Sequence, residues 1–171
     1  MNRELWLLRH AKSDWHVDAD DFDRPLNKRG KRAARRMGAW MKQQQLRPDF
    51  ILSSPALRAV ATAEIVCTEA GLAVQDIHQD KRLYEQGLAG LKAALTGCPA
   101  RAQRVLLVGH NPELEALLID LAGLAAVPDA DKLLPTAALA RLALACDWQH
   151  LRPGSAELLS ITYARDLPDA C

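Results

Sequence analysis

The sequence has few of the features that would place it in a membrane or outside the cell. None of its apolar runs reaches the roughly 20 residues that a bilayer span needs. The apolar N-terminal stretch is broken at Arg9, too early for the hydrophobic region of a secretory signal. The few cysteines, Cys67, Cys98, Cys146 and Cys171, are scattered and form no Cys-x-x-Cys pair. This pattern indicates free thiols in a reducing compartment and argues against a zinc site. We therefore expect a soluble, cytoplasmic protein.

The sequence also lacks an excess of charge of either sign. Its 22 Lys and Arg residues face 21 Asp and Glu residues, for a formal net charge of +1. Composition therefore gives no reason to expect nucleic acid or another polyanion as a partner. No repeat, low-complexity tract or linker divides the 171 residues. We expect one domain, 1–171, that acts as a monomer away from membranes.

Segments of strand character alternate with segments of helical periodicity along the chain. The expected strands are 4–8, 49–54, 74–78, 104–110, 137–146 and 157–163, and the expected helices are 28–45, 55–70, 88–95 and 112–122. Such alternation is typical of an α/β fold with a largely parallel sheet. The last two strands, joined through Pro153-Gly154, predict an antiparallel addition at the edge.

Arginine and histidine follow the predicted parallel strands where those strands end. Arg9 and His10 end the first strand, Arg58 comes shortly after the second, and His110 and Asn111 follow the fourth. Ligands of open α/β sheets bind outside the carboxyl ends of the strands. Guanidinium forks match phosphate oxygens, and the start of the next helix can add backbone N–H groups. The sequence therefore predicts a pocket for a phosphoryl group.

One of the two histidines could react as well as bind. A neutral imidazole is a competent nucleophile toward phosphorus, and nearby arginines disfavour its protonated form. The other histidine could donate to the phosphoryl oxygens as charge builds in the transition state. No carboxylate cluster that would hold Mg²⁺ is evident in the sequence. We expect neither a metal nor a cofactor.

Taken in order, these residues resemble the histidine phosphatase superfamily, and within it the SixA-like phosphohistidine phosphatases. The similar segments are "LLRHAKSDW", "DRPLNKRG", "ILSSPALRAVATAEIV", "RLYEQGLAGL" and "LLVGHNPELEALL". Ala11 stands where the superfamily usually has glycine, and Asn27 where this branch typically has threonine. The resemblance implies a three-layer αβα sandwich of the phosphoglycerate mutase type, with a largely parallel sheet and an antiparallel edge.

The resemblance also implies roles for the pocket residues. His10 would be the nucleophile that becomes phosphorylated, and Arg9 and Arg58 would clamp the phosphoryl oxygens. His110 would be the second pocket histidine, which stabilises the transition state and binds phosphate, with Asn111 beside it as a further phosphate ligand.

Glu85, in "LYEQG", matches the position from which superfamily members often supply the proton donor. Water would then hydrolyse the phosphohistidine, with the same carboxylate as base. Another interpretation of Glu85 is a carboxylate placed near a helix N-terminus, where the dipole favours it. Asp14 and Asp23 are weaker candidates for the proton donor.

The spacing after Glu85 bears on the substrate. Only residues 86–103 separate Glu85 from Arg104, which leaves little chain for a lid over the site. We expect an open pocket that accepts a phosphorylated protein side chain, most simply phosphohistidine, because its imidazole leaving group is protonated near neutral pH. A small phosphorylated metabolite is the alternative, handled by a phosphomonoesterase or a mutase-like enzyme. A non-catalytic phosphate-binding module is a further alternative, which the intact nucleophile disfavours.

A run of basic residues precedes and begins the first predicted helix. Its members are Arg24, Lys28, Arg29, Lys31, Arg32, Arg35 and Arg36. A solvated helix face explains them more simply than a docking patch for an acidic partner. Near the other end of the chain, Thr136 is expected to lie close to the pocket.

Overall fold

One sheet of six strands runs through the protein in a computed structural model that describes residues 2–171. The strands are β1 (Arg3–Arg9), β2 (Phe50–Ser53), β3 (Ile77–Gln79), β4 (Arg104–Gly109), β5 (Leu139–Leu144) and β6 (Ala156–Thr162). The α-helices are α1 (Lys28–Gln43), α2 (Leu57–Ala70), α3 (Gly87–Thr96) and α4 (Glu113–Ala122).

The strand order places the ends of three parallel strands next to one another. The order is β3-β2-β4-β1-β5-β6. Strand β4 pairs in parallel with both β1 and β2, and β2 pairs in parallel with β3. Strand β5 is antiparallel to β1 and to β6. The predicted parallel sheet with an antiparallel addition is confirmed, and the carboxyl ends of β1, β2 and β4 share one edge.

Helices cover both faces of the sheet, as in a three-layer αβα sandwich. Along β1 the side chains alternate: Leu5 and Leu7 enter the core under α3 and α4, whereas Trp6 and Leu8 enter the core under α1 and α2. All of these side chains are fully buried. A charged residue inside this strand would therefore be costly, and Arg9 comes only where the strand leaves the core.

The first helix is packed tightly against the loop that leaves β1. Asn27 caps α1 by accepting the N–H of Gly30 at 2.8 Å. A Cβ added at Gly30 would lie 2.1 Å from the backbone oxygen of Lys12. Only glycine permits this approach, which fixes the chain just after His10.

Some elements start later than the sequence pattern predicts. Helix α2 begins at Leu57, since Pro55 lies in the turn before it, and α4 begins at Glu113 rather than at Pro112. Strand β3 is short because Val74–Asp76 forms a 3₁₀ turn. Within residues 2–171, the structure contains no helix with the length and hydropathy of a membrane span.

Candidate active site

The predicted phosphate-binding residues meet at the shared edge of β1, β2 and β4. An open pocket of about 400 Å³ is lined by Arg9, His10, Arg58, His110 and Asn111. Its other lining residues are Lys12, Ser13, Trp15, Arg24, Lys132, Pro135 and Thr136. The structure therefore brings together residues that come from three distant parts of the chain.

The His10 ring is held in one orientation by the backbone beside it. Its Nδ1 lies 2.8 Å from the carbonyl oxygen of Ala11. Because a carbonyl only accepts, Nδ1 carries the hydrogen and Nε2 keeps a free lone pair. The N–H of Ala11 donates to the buried Thr62 hydroxyl at 2.9 Å, and that hydroxyl donates to the Arg58 carbonyl at 2.7 Å. These bonds fix the turn that presents Nε2.

Burial and neighbouring cations keep His10 neutral. Its side chain is nearly inaccessible, with 8% of the residue exposed. The pKa of His10 is lowered to about 4, mainly by desolvation. The hydrogen bond to the Ala11 carbonyl raises this pKa, whereas the charges of Arg58, Arg9 and Arg24 lower it further. At neutral pH the imidazole is therefore unprotonated and able to attack.

His110 lies beside His10 and is also neutral at neutral pH. The two ring centroids are 5.1 Å apart, and Nε2 of His110 lies 2.7 Å from the Ser54 hydroxyl oxygen. That oxygen also accepts the N–H of Ala56 at 3.2 Å, and when its own hydrogen is donated to Nε2, the hydrogen of His110 lies on Nδ1. Burial, and then the proximity of His10 and Arg58, lower the pKa of His110 to about 3.

Three buried donors at this pocket have no partner within residues 2–171. They are Nε of Arg9, Nε of Arg58 and Nδ1 of His110. Buried donors are nearly always paired, so three unpaired donors in one pocket require an explanation. A phosphoryl group supplies several acceptor oxygens and a negative charge in one small unit. An anion rich in acceptors would satisfy all three donors, beside one unpaired buried acceptor, Oδ1 of Asn111.

Asp21 organises the arginines of the pocket, and sequence reasoning missed it. Its carboxylate accepts from Arg24 at 2.9 Å, from Arg58 at 3.0 Å and from the Tyr84 hydroxyl at 2.8 Å, and its carbonyl also accepts from Arg58. Partial burial works against ionisation, but the hydrogen bonds from Tyr84, Arg24 and Arg58 hold the pKa of Asp21 at about 2. Arg58 and Tyr84 lie 37 and 63 positions away along the chain, so no local motif marks this contact.

Arg24 corrects one interpretation of the sequence. It is not part of a solvated face, since only 7% of it is exposed. Its Nε donates to the Ser13 hydroxyl at 2.9 Å, and its guanidinium carbon lies 3.6 Å from the centre of the Trp15 ring. The chain folds back here through a bridge between Ser13 and Leu26, which carries Arg24 into the pocket wall. Trp15 is 73% exposed, lines the pocket, and covers this arginine with its ring.

Asn111 ties the pocket to the loop before β5. Its amide nitrogen donates to Glu115 at 2.7 Å and to the Leu134 carbonyl at 2.8 Å. The same carbonyl accepts from Arg9 at 3.1 Å. Thr136, at the end of this loop, lines the pocket as expected. A direct contact between Asn111 and phosphate stays a prediction.

Glu85 does not line the pocket. It is exposed, with a left-handed backbone (φ of 60°), next to Tyr84, whose ring meets the edge of His110 at 5.7 Å between centroids. Asp14 and Asp23 are also absent from the lining. The proton-donor role of Glu85 stays a prediction.

Comparison with known proteins finds a family match across the first half of the chain. The family model described as histidine phosphatase superfamily (branch 1) matches residues 5–92. An uncharacterised protein of Mycobacterium tuberculosis is 30% identical over 163 residues, which cover 92% of this chain and all of that protein. A 2,3-bisphosphoglycerate-dependent phosphoglycerate mutase of Thermobifida fusca is 34% identical over 91 residues, which cover 52% of this chain but only 37% of the mutase.

Similar solved structures cover nearly the whole chain. A candidate SixA phosphohistidine phosphatase from Nakamurella multipartitia superposes with a TM-score of 0.80 at 27% identity, covering 95% of this chain and 96% of that one. A second candidate SixA protein, from Agrobacterium tumefaciens, gives a TM-score of 0.75 at 31% identity, covering 94% and 97%. The match therefore extends through β5 and β6, beyond the region of the family model.

Proposed function

Because this chain belongs to the histidine phosphatase superfamily, we propose that it hydrolyses phosphohistidine on proteins through a covalent phosphohistidine on His10. The family and the structural neighbours indicate a phosphatase or a mutase. The observation that carries the proposal is the pairing of a free Nε2 lone pair on His10 with three unpaired buried donors in the same pocket. A nucleophile and an oxyanion-binding set are the two parts that phosphoryl transfer requires.

In the first step, Nε2 of His10 attacks phosphorus as the bond from phosphorus to the substrate imidazole breaks. Arg9, Arg58 and His110 bind the phosphoryl oxygens through the donors that the protein leaves unpaired. The departing imidazole takes a proton from solvent, and the phosphoryl group stays on Nε2 of His10. In the second step, water attacks phosphorus as the bond from phosphorus to Nε2 breaks. The water gives up a proton to solvent, inorganic phosphate leaves, and His10 returns to its neutral form.

The position of Glu85 favours a leaving group that needs little help. Imidazole is protonated near neutral pH, whereas an alkoxide from a phosphoester depends strongly on a general acid. Glu85 is exposed and outside the pocket lining, so the structure does not hold its carboxyl inside the pocket. We expect Glu85 to contribute more to the cleavage of a phosphoester than to the cleavage of phosphohistidine.

The shape of the site also favours a protein substrate. No residue between Glu85 and Arg104 lines the pocket, because α3, which fills this segment, packs against α4 in the core on the other side of β1. Residues 86–103 therefore do not cover the pocket, and its edge stays open. A small phosphorylated metabolite remains the alternative substrate, since a mutase matches the N-terminal half of the chain.

Trapping of the phosphoenzyme tests the mechanism. Labelled phosphohistidine peptide should transfer its label to the wild-type protein and to His150→Ala, whose histidine is exposed and distant from the pocket. His10→Ala should take up no label and show no turnover. Normal turnover by His10→Ala would exclude the mechanism.

A substrate comparison tests the specificity. We expect kcat/KM for a phosphohistidine peptide to exceed that for sugar phosphates and phosphoserine peptides. A large preference for a sugar phosphate would contradict the proposal. A long-lived phosphoenzyme that passes its phosphoryl group to a second substrate hydroxyl would identify a mutase instead.

A further inference from the structure

A second cavity of about 390 Å³ opens beside the active site, between α1 and the segment after β6. We call it the α1 groove. Its charged lining residues are Lys12, Arg29, Arg32, Arg36 and Arg165, and its other lining residues are Ala33, Pro135, Thr136, Tyr163 and Ala164. All of its charged side chains are cationic, in a protein whose formal net charge is only +1. The groove lining therefore has five cationic side chains and no anionic one.

Arg29 and Arg32, like Lys12, have no ion-pair partner among residues 2–171. Both arginines are exposed. They lie three positions apart on α1, so their side chains project from the same side of the helix. Their free guanidinium groups line the wall of a concave site, where they can bind a carboxylate from outside the chain.

The margin of the groove already binds a carboxylate of the chain itself. Arg36 donates from Nε to one oxygen of Asp169 at 2.8 Å, and its Nη2 lies 2.7 Å from the same oxygen. Asp169 lies in the irregular segment after β6, which crosses α1 at this point. This contact is an acidic side chain on a non-helical segment bound by an arginine of α1. An incoming acidic peptide would make the same kind of contact with Arg29 and Arg32.

The α1 groove is continuous with the active site. Lys12, Pro135 and Thr136 line both cavities. A peptide whose phosphorylated side chain reaches His10 would therefore pass its neighbouring residues over Lys12 toward Arg32. Proteins that bind single-stranded nucleic acids stack the bases on aromatic side chains. The groove lining has one aromatic residue, Tyr163, and the guanidinium carbon of Arg165 lies over its ring, 4.9 Å from the ring centre.

We propose that the α1 groove binds carboxylate side chains that flank the phosphohistidine of a protein substrate. This inference rests on the proposed function for the phosphorylated residue, but the groove itself recognises carboxylates whether or not the peptide is turned over. It supplies the sequence preference that an open phosphate pocket lacks.

The test compares two fluorescent peptides that carry one phosphohistidine each and differ only in their flank, with several glutamates in one and glutamines in the other. We expect wild-type kcat/KM to be higher for the acidic peptide, mainly through KM, and this preference to weaken with added salt. In Arg29→Gln/Arg32→Gln the ratio of the two kcat/KM values should fall by about tenfold. Each lost exposed ion pair costs about threefold, and the two losses multiply. The matched control is Lys42→Gln, an exposed cation in the last turn of α1 outside the groove, which should keep the wild-type ratio.

Binding is measured separately, by anisotropy, with peptides that carry a non-hydrolysable phosphonate analogue in place of phosphohistidine. If the acidic analogue binds more tightly and this difference depends on Arg29 and Arg32, the inference about the groove is supported. This holds even if neither phosphohistidine peptide is hydrolysed, and only the proposed function then fails. Equal binding of the acidic and neutral analogues would overturn the inference. So would an equal loss in Lys42→Gln, or tighter binding of single-stranded RNA or phosphatidylserine vesicles through the same two arginines.

Discussion

Asp21→Asn tests the contact that holds the arginines in the active site. The substitution keeps the size of the side chain and removes its charge. Asp21 accepts hydrogen bonds from Arg24, Arg58 and Tyr84 in the structure. The amide can replace only part of this set, since its nitrogen is a donor and faces groups that are themselves donors. We expect Arg58 to lose its fixed position.

The expected effect on stability follows from the pKa of Asp21. That pKa is about 2, against an ordinary value of 3.8, and the difference corresponds to about 2 kcal/mol. Because 46% of the side chain is exposed, solvent screening reduces the expected loss to about 1 kcal/mol of unfolding free energy. The folded state has the lower pKa, so this stabilisation is present above about pH 4 and is lost as the pH falls toward 2.

The expected effect on activity is larger than the effect on stability. A displacement of about 1 Å in a positioning group costs on the order of 100-fold in rate. We therefore expect kcat/KM for a phosphohistidine peptide to fall by about 10-fold to 100-fold in Asp21→Asn, while the thermal midpoint drops by only a few degrees. The two measurements separate loss of positioning from loss of folding.

Asp20→Asn is the matched control. Asp20 is the exposed neighbour of Asp21, and its side chain makes no capping hydrogen bond. It should retain wild-type kcat/KM and stability. If Asp21→Asn also kept kcat/KM within a factor of two, Asp21 would not be needed to position Arg58, and the electrostatic account of the pocket would be wrong.

Three further predictions address the fold, the nucleophile and the proton donor. Gly30→Ala should lower the unfolding free energy by about 1–3 kcal/mol in chemical denaturation, because its Cβ would lie 2.1 Å from the Lys12 backbone oxygen. Gly97→Ala, whose Cβ has no contact closer than 3.5 Å, should leave the unfolding free energy nearly unchanged. The rate of phosphoenzyme formation should stay level from pH 7 to about pH 5 and decline toward pH 4, since the pKa of His10 is about 4. A decline of this rate centred near pH 6.5 would contradict a neutral, buried nucleophile. Glu85→Gln should slow hydrolysis of a phosphoester more than hydrolysis of phosphohistidine, and equal losses in kcat would remove the leaving-group argument.

The strands and the position of His10 could be predicted from the sequence because both depend on local patterns. The apolar run from Leu5 to Leu8 indicates a buried strand, and the polar pair Arg9-His10 marks where it reaches the surface. Parallel topology then determines which strand ends meet. His110 came from the same argument, since it follows the central strand β4. Periodicity and topology are enough to place these residues.

The remaining parts of the site depend on contacts that no local pattern encodes. Asp21 was one of several aspartates in a polar loop, and only the folded chain shows which one meets Arg58 and Tyr84. The sequence pattern groups Arg24 with the basic run of α1, yet the chain that folds back through the bridge between Ser13 and Leu26 buries it. In both cases the deciding interaction joins distant segments, so side-chain type alone cannot distinguish a buried ion pair from a solvated charge.

The distribution of carboxylates around the pocket bears on turnover as well as on structure. Arg9, Arg24 and Arg58 together would bind phosphate tightly and retain the product if their charges were uncompensated. Asp21 neutralises part of the charge of Arg24 and Arg58, and Glu115 acts electrostatically on Arg9. The arginines still lower the pKa of His10 and still offer unpaired Nε donors to a phosphoryl group. In the proposed reaction, the reduced net charge of the pocket would weaken the retention of inorganic phosphate, while the directed donors stay available to the phosphoryl group. Asp21, which holds Arg24 and Arg58 in place, would therefore also help the product to leave.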